Sequence, residues 1–262
     1  MDRTMETLTN ELTSDKTVAE KDPVIQIEHL KKSFGSLTVL KDINLTVTKG
    51  ENIVVLGRSG TGKSVLIQCI IGLLYPDGGK LFVLGKNVMD LNKRELNDLR
   101  LKVGFLFQSG ALYDSMTVRE NLEFPLKRHP HAYKNSSINE QVEEALENVG
   151  LIDAIDKMPS ELSGGMRKRV GLARTLILKP EIMLYDEPTT GLDPVTSKEI
   201  SELMLKIQKS QKVTSIIITH DLACAKITSD KVILLKDGVN ISEGSYSEFE
   251  KDDNPDIRAY FE

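Results

Sequence analysis

Short apolar runs alternate along the chain with longer segments in which apolar residues recur every three or four positions. The short runs are rich in β-branched residues and predict strands, whereas the longer spacing predicts helices. The predicted strands are Val24–Ile27, Ile43–Val47, Ile53–Leu56, Leu81–Leu84, Val103–Phe107, Glu181–Tyr185, Ser215–Thr219, Val232–Leu235 and Val239–Ser242. The predicted helices cover about residues 62–74, 87–101, 138–149 and 164–178, and a further one follows Asp193. Strands alternating with helices indicate an α/β fold with a parallel sheet.

Turn and cap residues sharpen some of these boundaries. Ser137 with Glu140 three positions later is a capping box, and Gly150 suits the position just after that helix. Asp193 can cap the helix that begins with Pro194. The sequence Lys236-Asp237-Gly238 predicts a hairpin turn between the last two strands, and residues 127–136 form a polar loop.

Composition places the chain among ordinary globular proteins. Its 262 residues carry 34 basic and 39 acidic side chains, a formal charge of −5, of which residues 1–22 contribute −3 and are expected to form a flexible acidic tail. No apolar run approaches the roughly 18 residues that span a bilayer, and the polar N-terminus lacks a secretory apolar segment. We therefore expect a cytoplasmic protein. Cys69 and Cys224 lie in apolar helical patterns, so no disulfide is expected, and the acidity argues against coating nucleic acid.

A glycine-rich segment directly follows a buried strand and opens a helix. It reads Gly57-Arg58-Ser59-Gly60-Thr61-Gly62-Lys63-Ser64, which matches the phosphate-loop pattern in its required context. Glycines allow backbone N–H groups to point at a triphosphate, Lys63 can neutralise its oxygens, and the Ser64 hydroxyl can ligate Mg²⁺.

A pair of carboxylates, Asp186 and Glu187, ends another apolar strand. In phosphoryl-transfer sites one carboxylate holds Mg²⁺ and a second orients the attacking water, roles that suit Asp186 and Glu187 respectively. Because successive strand residues point to opposite sides, the chain must turn here if both side chains are to reach one site, and Pro188 favours such a turn.

A third motif lies shortly before that strand and reads Leu162-Ser163-Gly164-Gly165-Met166-Arg167-Lys168-Arg169. Along the chain the order is phosphate loop, this motif and then the carboxylate pair, and the three together resemble the ATP-binding subunits of ABC transporters. The resemblance implies a P-loop ATPase fold with a RecA-like core, an antiparallel β subdomain and an inserted α-helical subdomain. The implied ATPase domain covers residues 23–245, its helical subdomain about 112–178, and a C-terminal extension 246–262.

The resemblance also implies further site residues. Gln108 matches the glutamine that senses Mg²⁺, so the implied metal ligands are Ser64, Gln108 and Asp186. His220 matches the histidine that contacts the γ-phosphate and joins Glu187 and Lys63 in catalysis. The remaining implied ATP-binding residues are Phe34, stacked on adenine, Val65 after the phosphate loop, and Ser163, Gly164 and Gly165. Taken alone, His220 is typical of a core histidine and Gln108 of an ordinary polar loop residue, and core packing stays open as the alternative for Phe34.

Ser163 and the two glycines after it form a second anion site at a helix start. In the resembled family this site binds the ATP held by a second copy of the chain, which gives a head-to-tail dimer with two ATP molecules. Met166 stands where glutamine is usual, and it cannot donate the amide hydrogen bonds of that glutamine. The adjacent basic run, Arg167 to Arg169, is interpreted as a solvated helix face.

The segment after Gln108 contains Gly110-Ala111-Leu112-Tyr113 and, further on, Phe124-Pro125-Leu126. Together with Met166 it resembles the Mla-type lipid transport ATPases. That resemblance implies phospholipid as the cargo and peripheral attachment to the cytoplasmic face of the inner membrane. It also implies a permease docked near Gln108 and residues 109–126, an MCE-domain protein and, as a further partner, a small STAS-domain protein. Transport of an amino acid, a metal or a lipoprotein, and a non-transport ABC ATPase, stay open as alternatives.

Overall fold

The computed structural model describes residues 23–130 and 137–261 and contains one ten-stranded sheet flanked by helices. The strands are β1 Pro23–Phe34, β2 Leu37–Thr48, β3 Asn52–Leu56, β4 Gly78–Val83, β5 Lys86–Asn87, β6 Val103–Leu106, β7 Ile182–Asp186, β8 Thr214–Thr219, β9 Lys231–Lys236 and β10 Val239–Gly244. The helices are α1 Lys63–Ile70, α2 Lys93–Lys102, α3 Val118–Arg128, α4 Ile138–Asn148, α5 Gly164–Leu176, α6 Pro194–Gln211, α7 Leu222–Thr228, α8 Tyr246–Lys251 and α9 Pro255–Phe261. The predicted N-terminal tail lies outside the described residues.

The sheet is mixed, with strand order β5-β4-β1-β2-β10-β9-β3-β8-β7-β6. The five strands from β9 to β6 are parallel to one another, as the βα alternation predicts, and every residue of β3 and β8 is buried. At the other end, β1 pairs antiparallel with β2 and β4, so a wholly parallel sheet is wrong for this half. The resemblance to the ABC fold implies this antiparallel part, and the fold class is confirmed.

Several predicted boundaries shift. The segment predicted as one helix over 87–101 is a 3₁₀ turn at Val88–Asp90 followed by α2, which Asn92 and Glu95 cap reciprocally. Helix α1 ends at Ile70 because Gly72 adopts a left-handed φ of +67°. Helix α3 runs through Arg128, so the predicted polar loop begins later, and its residues 131–136 lie outside the described part.

The predicted caps are confirmed. Ser137 and Glu140 form the capping box of α4, and Gly150 has a left-handed φ of +68° just after that helix. The Asp193 carboxylate accepts the Val195 and Thr196 N–H groups at the start of α6. Asp237 and Gly238 form the turn of the β9–β10 hairpin, both with positive φ.

Buried apolar side chains form three clusters. Two lie against the sheet, and the third consists entirely of buried residues between Val118 and Ile177, contributed by α3, α4, α5 and their connections. The C-terminal helices pack on the chain's own core through Phe249 and Ile257, which are 3% and 1% exposed. Among the described residues, no helix combines the length and apolar character needed to cross a membrane.

Candidate functional site

The loop between β3 and α1 ends in a tight turn at Gly62. Gly62 has a φ of +100°, and a Cβ at this position would lie 2.7 Å from a Leu40 methyl group. Only glycine therefore satisfies both the conformation and the space. The turn points the start of α1 at the interior of the loop, where its free N–H groups and dipole favour an anion.

Lys63 lies inside this loop and is 6% exposed. Its ammonium donates to the carbonyl oxygens of Gly57 at 2.7 Å and Arg58 at 3.1 Å, and lies 3.7 Å from Glu187 Oε1. Burial lowers the pKa of Lys63, and the Glu187 carboxylate opposes part of that shift. A phosphate in the loop would give this buried ammonium stronger, charge-assisted partners than the two carbonyls.

Asp186 ends β7 beside the start of α1. Its Oδ1 accepts a hydrogen bond from the Ser64 hydroxyl at 3.0 Å. Desolvation raises the pKa of Asp186, and the Ser64 hydrogen bond counteracts it. A hydroxyl and a carboxylate in contact are the oxygen ligands that Mg²⁺ prefers, so this pair fits that ion.

Glu187 directly follows the strand in the left-handed conformation, with a φ of +49°. Its N–H donates to the Ile218 carbonyl of β8 at 2.9 Å. This turn breaks the alternation of the strand, so the Asp186 and Glu187 carboxylates both reach the loop region. The turn that the sequence predicts between the strand and Pro188 therefore lies at Glu187.

His220 comes directly after β8 and faces the same carboxylate. Its Nδ1 lies 2.8 Å from Glu187 Oε2, which also accepts from the Thr190 hydroxyl at 3.2 Å. The imidazole is 56% exposed, so the alternative of a core histidine is wrong. Glu187 thus lies between Lys63 and His220.

Except for that of Asp186, which contacts Ser64, these side chains line one cavity of about 490 Å³. Its lining includes predicted residues from four separate segments of the chain, namely Ser59, Gly60, Gly62, Lys63, Ser64, Val65, Gln108, Glu187 and His220, together with Val39 and Thr190. The structure therefore brings together the phosphate loop, Gln108, Glu187 and His220. Neither Val39 nor Thr190 was predicted, and neither belongs to a motif that would single it out.

Other predicted residues lie outside the cavity lining. Ser163 caps α5, accepting from the Met166 N–H at 3.2 Å, and Gly164 and Gly165 form the first turn of that helix. Phe34 ends β1 and is 46% exposed, with the Lys32 ammonium 5.4 Å from its ring centroid. Core packing is therefore wrong for Phe34, and its ring is accessible for stacking.

The basic run after Met166 is only partly the solvated face that its charge pattern predicts, because Arg167 is exposed and Arg169 is half-buried whereas Lys168 is buried. Lys168 is 5% exposed, and its ammonium donates to the carbonyl oxygens of Gln108 and Glu187. Arg167 donates to the Leu162 carbonyl at 2.7 Å, and Arg169 pairs with Glu199 at 2.6 Å. The sequence contained one indication that Lys168 is buried. Gly164, Lys168 and Gly171 share one face of a helix, and glycines on a face allow close packing against a neighbouring element.

Comparison with known proteins decides the family. The sequence model of the ABC transporter family matches residues 40–190, more than half of the chain. The chain belongs to the ABC transporter family. It is an ATP-binding domain, and domains of this family bind ATP with Mg²⁺ and couple its hydrolysis to transport.

Three curated relatives carry different transport names. The probable ribonucleotide transport ATP-binding protein mkl of Mycobacterium tuberculosis is 44% identical over 80% of this chain, and the match spans only 58% of that protein. The methionine import protein MetN of Rhizobium johnstonii is 36% identical over 90% of this chain and 65% of its own length. The intermembrane phospholipid transport protein MlaF of Haemophilus influenzae is 36% identical over 85% of this chain and 84% of its own length.

Solved structures agree on the fold. The ATP-binding cassette MJ0796, described as a dimer in a post-hydrolysis state with ADP and Pi, superposes with a TM-score of 0.76. It is 31% identical and is matched over 98% of its length, covering 85% of this chain. ABC cassettes function as dimers and pair with membrane permease components.

Proposed function

We propose that this chain is the ATP-hydrolysing subunit of an ABC transporter that moves phospholipid across or between bacterial envelope membranes. The observation that carries the proposal is the match to MlaF, 36% identical over 85% of this chain, together with the segment Gly110-Ala111-Leu112-Tyr113 and Met166, which resemble the Mla-type ATPases. The match to mkl, 44% identical over 80% of this chain, makes ribonucleotide the second candidate cargo. The experiment below distinguishes the two.

At the site, Lys63 and the loop amides bind the β- and γ-phosphates, and Ser64, Asp186 and Gln108 hold Mg²⁺. Glu187 orients and polarises the attacking water, for which its position between Lys63 and His220 is suitable. Lys63 and His220 stabilise the charge that develops on the γ-phosphoryl group. The exposed Phe34 ring stacks on adenine. Bound Mg²⁺ neutralises phosphate charge at the same place.

The Ser163 end of α5 completes the site of a second copy. Ser163, Gly164 and Gly165 lie outside the lining of the chain's own cavity, yet they form a helix start suited to an anion. A head-to-tail dimer supplies each ATP with one chain's phosphate loop and the other chain's Ser163. The dimeric MJ0796 cassette supports this arrangement.

The permease docks on residues 109–126, next to Gln108. Tyr113 in this segment and Phe107 just before it expose 45% and 40% of their surface, and exposed aromatic side chains of this kind suit contact with a helix of a membrane protein. In the proposed complex the chain lies peripherally on the cytoplasmic face of the inner membrane, beside an MCE-domain protein and a small STAS-domain protein. Residues 23–245 act as the ATPase domain, with 112–178 as its helical subdomain.

The test is purification of the intact complex from membranes through a tag on this chain, followed by mass spectrometry of its proteins and lipids. We expect an integral permease, an MCE-domain protein and bound phospholipid. A complex that contains a permease but neither an MCE-domain protein nor phospholipid would contradict the lipid proposal. Stimulation of its ATPase activity by ribonucleotide, and not by phospholipid vesicles, would instead favour the activity named for mkl.

A further inference from the structure

Helix α5 has a buried cation that the nucleotide chemistry leaves unused. The Lys168 ammonium donates to two backbone carbonyls, that of Gln108 and, at 3.3 Å, that of Glu187. These carbonyls belong to the residues that follow β6 and β7, and both side chains line the nucleotide cavity. One side chain therefore joins the two strand ends that bear the site.

A second contact ties the same helix to the loop after Gln108. Gly171 packs so closely on Gly110 that a Cβ at position 171 would lie 2.9 Å from the Gly110 carbonyl oxygen. Gly110 itself has a left-handed φ of +75°. The helix thus contacts this loop one turn apart, at Lys168 and at Gly171, so it cannot shift without moving the loop.

The Lys168 hydrogen bond acts on a strained residue. Glu187 holds a positive φ that non-glycine residues rarely adopt, and this conformation aims its carboxylate toward Lys63 and His220. Its N–H donates to the Ile218 carbonyl, and its own carbonyl accepts both the Thr190 N–H at 3.2 Å and the Lys168 ammonium at 3.3 Å, so both sides of the turn are held. Burial lowers the pKa of Lys168, while the Asp186 and Glu187 carboxylates oppose the shift by favouring the charged form.

We propose that Lys168 is a positioning residue, which links the helix capped by Ser163 to the backbone of Gln108 and Glu187. When the nucleotide of the partner binds at the Ser163 end of α5, Lys168 transmits this contact to Glu187. Binding at one chain's Ser163 thereby regulates how that chain's own Glu187 is aligned for hydrolysis. The proposal rests on the role of Glu187 proposed above.

The test compares Lys168→Met, which keeps the length of the side chain and removes its donors, with Arg174→Met. Arg174 lies on the same helix with its guanidinium 5.6 Å from the Tyr113 ring, and within the part of the chain that the structure describes it forms no hydrogen bond or ion pair with Gln108 or Glu187. In the purified full-length protein we expect Lys168→Met to lower kcat at least 10-fold, with the Kd for ATP within 2-fold of wild type. Lys168→Gln, which keeps an amide donor, should recover part of kcat. Equal kcat losses in Lys168→Met and Arg174→Met would overturn the proposal.

A double-mutant cycle separates positioning from packing. If Lys168 acts through the Glu187 carboxylate, Lys168→Met should leave the residual single-turnover rate of Glu187→Gln unchanged within 2-fold. An additional 10-fold loss in that background would show that Lys168 acts independently of Glu187 and would refute the proposal. If Lys168→Met fails to fold, the same cycle with Lys168→Gln decides. Full activity of Glu187→Gln alone would reject the role of Glu187, a failure distinct from that of Lys168.

Discussion

Asn121 is expected to stabilise the proposed docking segment through its buried amide. The side chain is fully buried in α3, where its Oδ1 accepts the Tyr113 N–H at 2.8 Å. Its Nδ2 lies 3.0–3.1 Å from three carbonyl oxygens, those of Tyr113, Met116 and Thr117. Because an amide nitrogen carries two hydrogens, one hydrogen is shared, and we count about three full hydrogen bonds.

Asn121→Ala should therefore cost about 3–4 kcal/mol, at roughly 1 kcal/mol for each bond with a further contribution from the space left behind. For a chain of this size that corresponds to a fall in Tm of about 10 °C. Circular dichroism at helical wavelengths or calorimetry is the suitable assay, since the sequence contains no tryptophan. The Kd for ATP should stay near wild type, because Asn121 does not line the nucleotide cavity.

Asn148→Ala is the matched control, because Asn148 ends the neighbouring helix α4 in the same cluster and its side chain is exposed. We expect it to change Tm by less than about 2 °C, as surface substitutions usually do. Equal melting temperatures for Asn121→Ala and Asn148→Ala would refute the hydrogen-bond count. A large loss of ATP affinity in Asn121→Ala would refute the separation between this segment and the nucleotide cavity.

Three further predictions concern the site and the thiols. Glu187→Gln should retain ATP and the ATP-dependent dimer while turnover falls about 10²–10⁴-fold, measured by phosphate release and gel filtration, since the amide cannot accept a proton from water; near-normal turnover would exclude this role. Ser163→Glu should abolish hydrolysis by repelling the partner's γ-phosphate, and it should leave ATP binding by the monomer intact. Ser137→Glu, at the equivalent cap of α4, should leave hydrolysis unchanged. Identical hydrolysis rates in the two variants would argue against the head-to-tail dimer. Burial raises the pKa of both thiols, Cys69 and Cys224, to about 11, so roughly 0.1% is thiolate at pH 8, and a disulfide reagent should modify them only after denaturation; rapid labelling of the folded protein would contradict their burial.

Local patterns predicted the parallel strands well because each is a short apolar run with both faces covered, as in β3 and β8. They failed on β1, of which only four residues were predicted, because its second half mixes basic and polar residues and is interrupted by irregular register. A strand at such a position is specified by its pairing with β2 and β4 and not by its own periodicity. In α2, the cap pair Asn92 and Glu95 was visible in the sequence and marks a start that the helical spacing alone misplaced.

The site residues that the sequence predicts lie in local motifs, and one that it misses depends on contacts between distant segments. The phosphate loop and the carboxylate pair are contiguous motifs, so their residue types indicate their chemistry directly. Lys168 is different, because its neighbours in the sequence are charged and predict exposure, whereas its partner Gln108 lies sixty residues away. Only the packing of α5 on the loop after β6 decides between solvent and a buried role.

The strand order explains why residues so distant along the chain form one cavity. The strands β6, β7, β8 and β3 are consecutive and parallel in the sheet, so their carboxyl ends lie at one edge. Gln108 lies two residues after β6, and Glu187 and His220 directly follow β7 and β8, while the phosphate loop follows β3. Helix α5 precedes β7 and packs on Leu106 of β6 and on Gly110 in the loop after it, where Lys168 reaches the carbonyls of Gln108 and Glu187. A helix in that position can respond to a ligand at its Ser163 end, because any displacement along its axis must alter the backbone that carries Glu187.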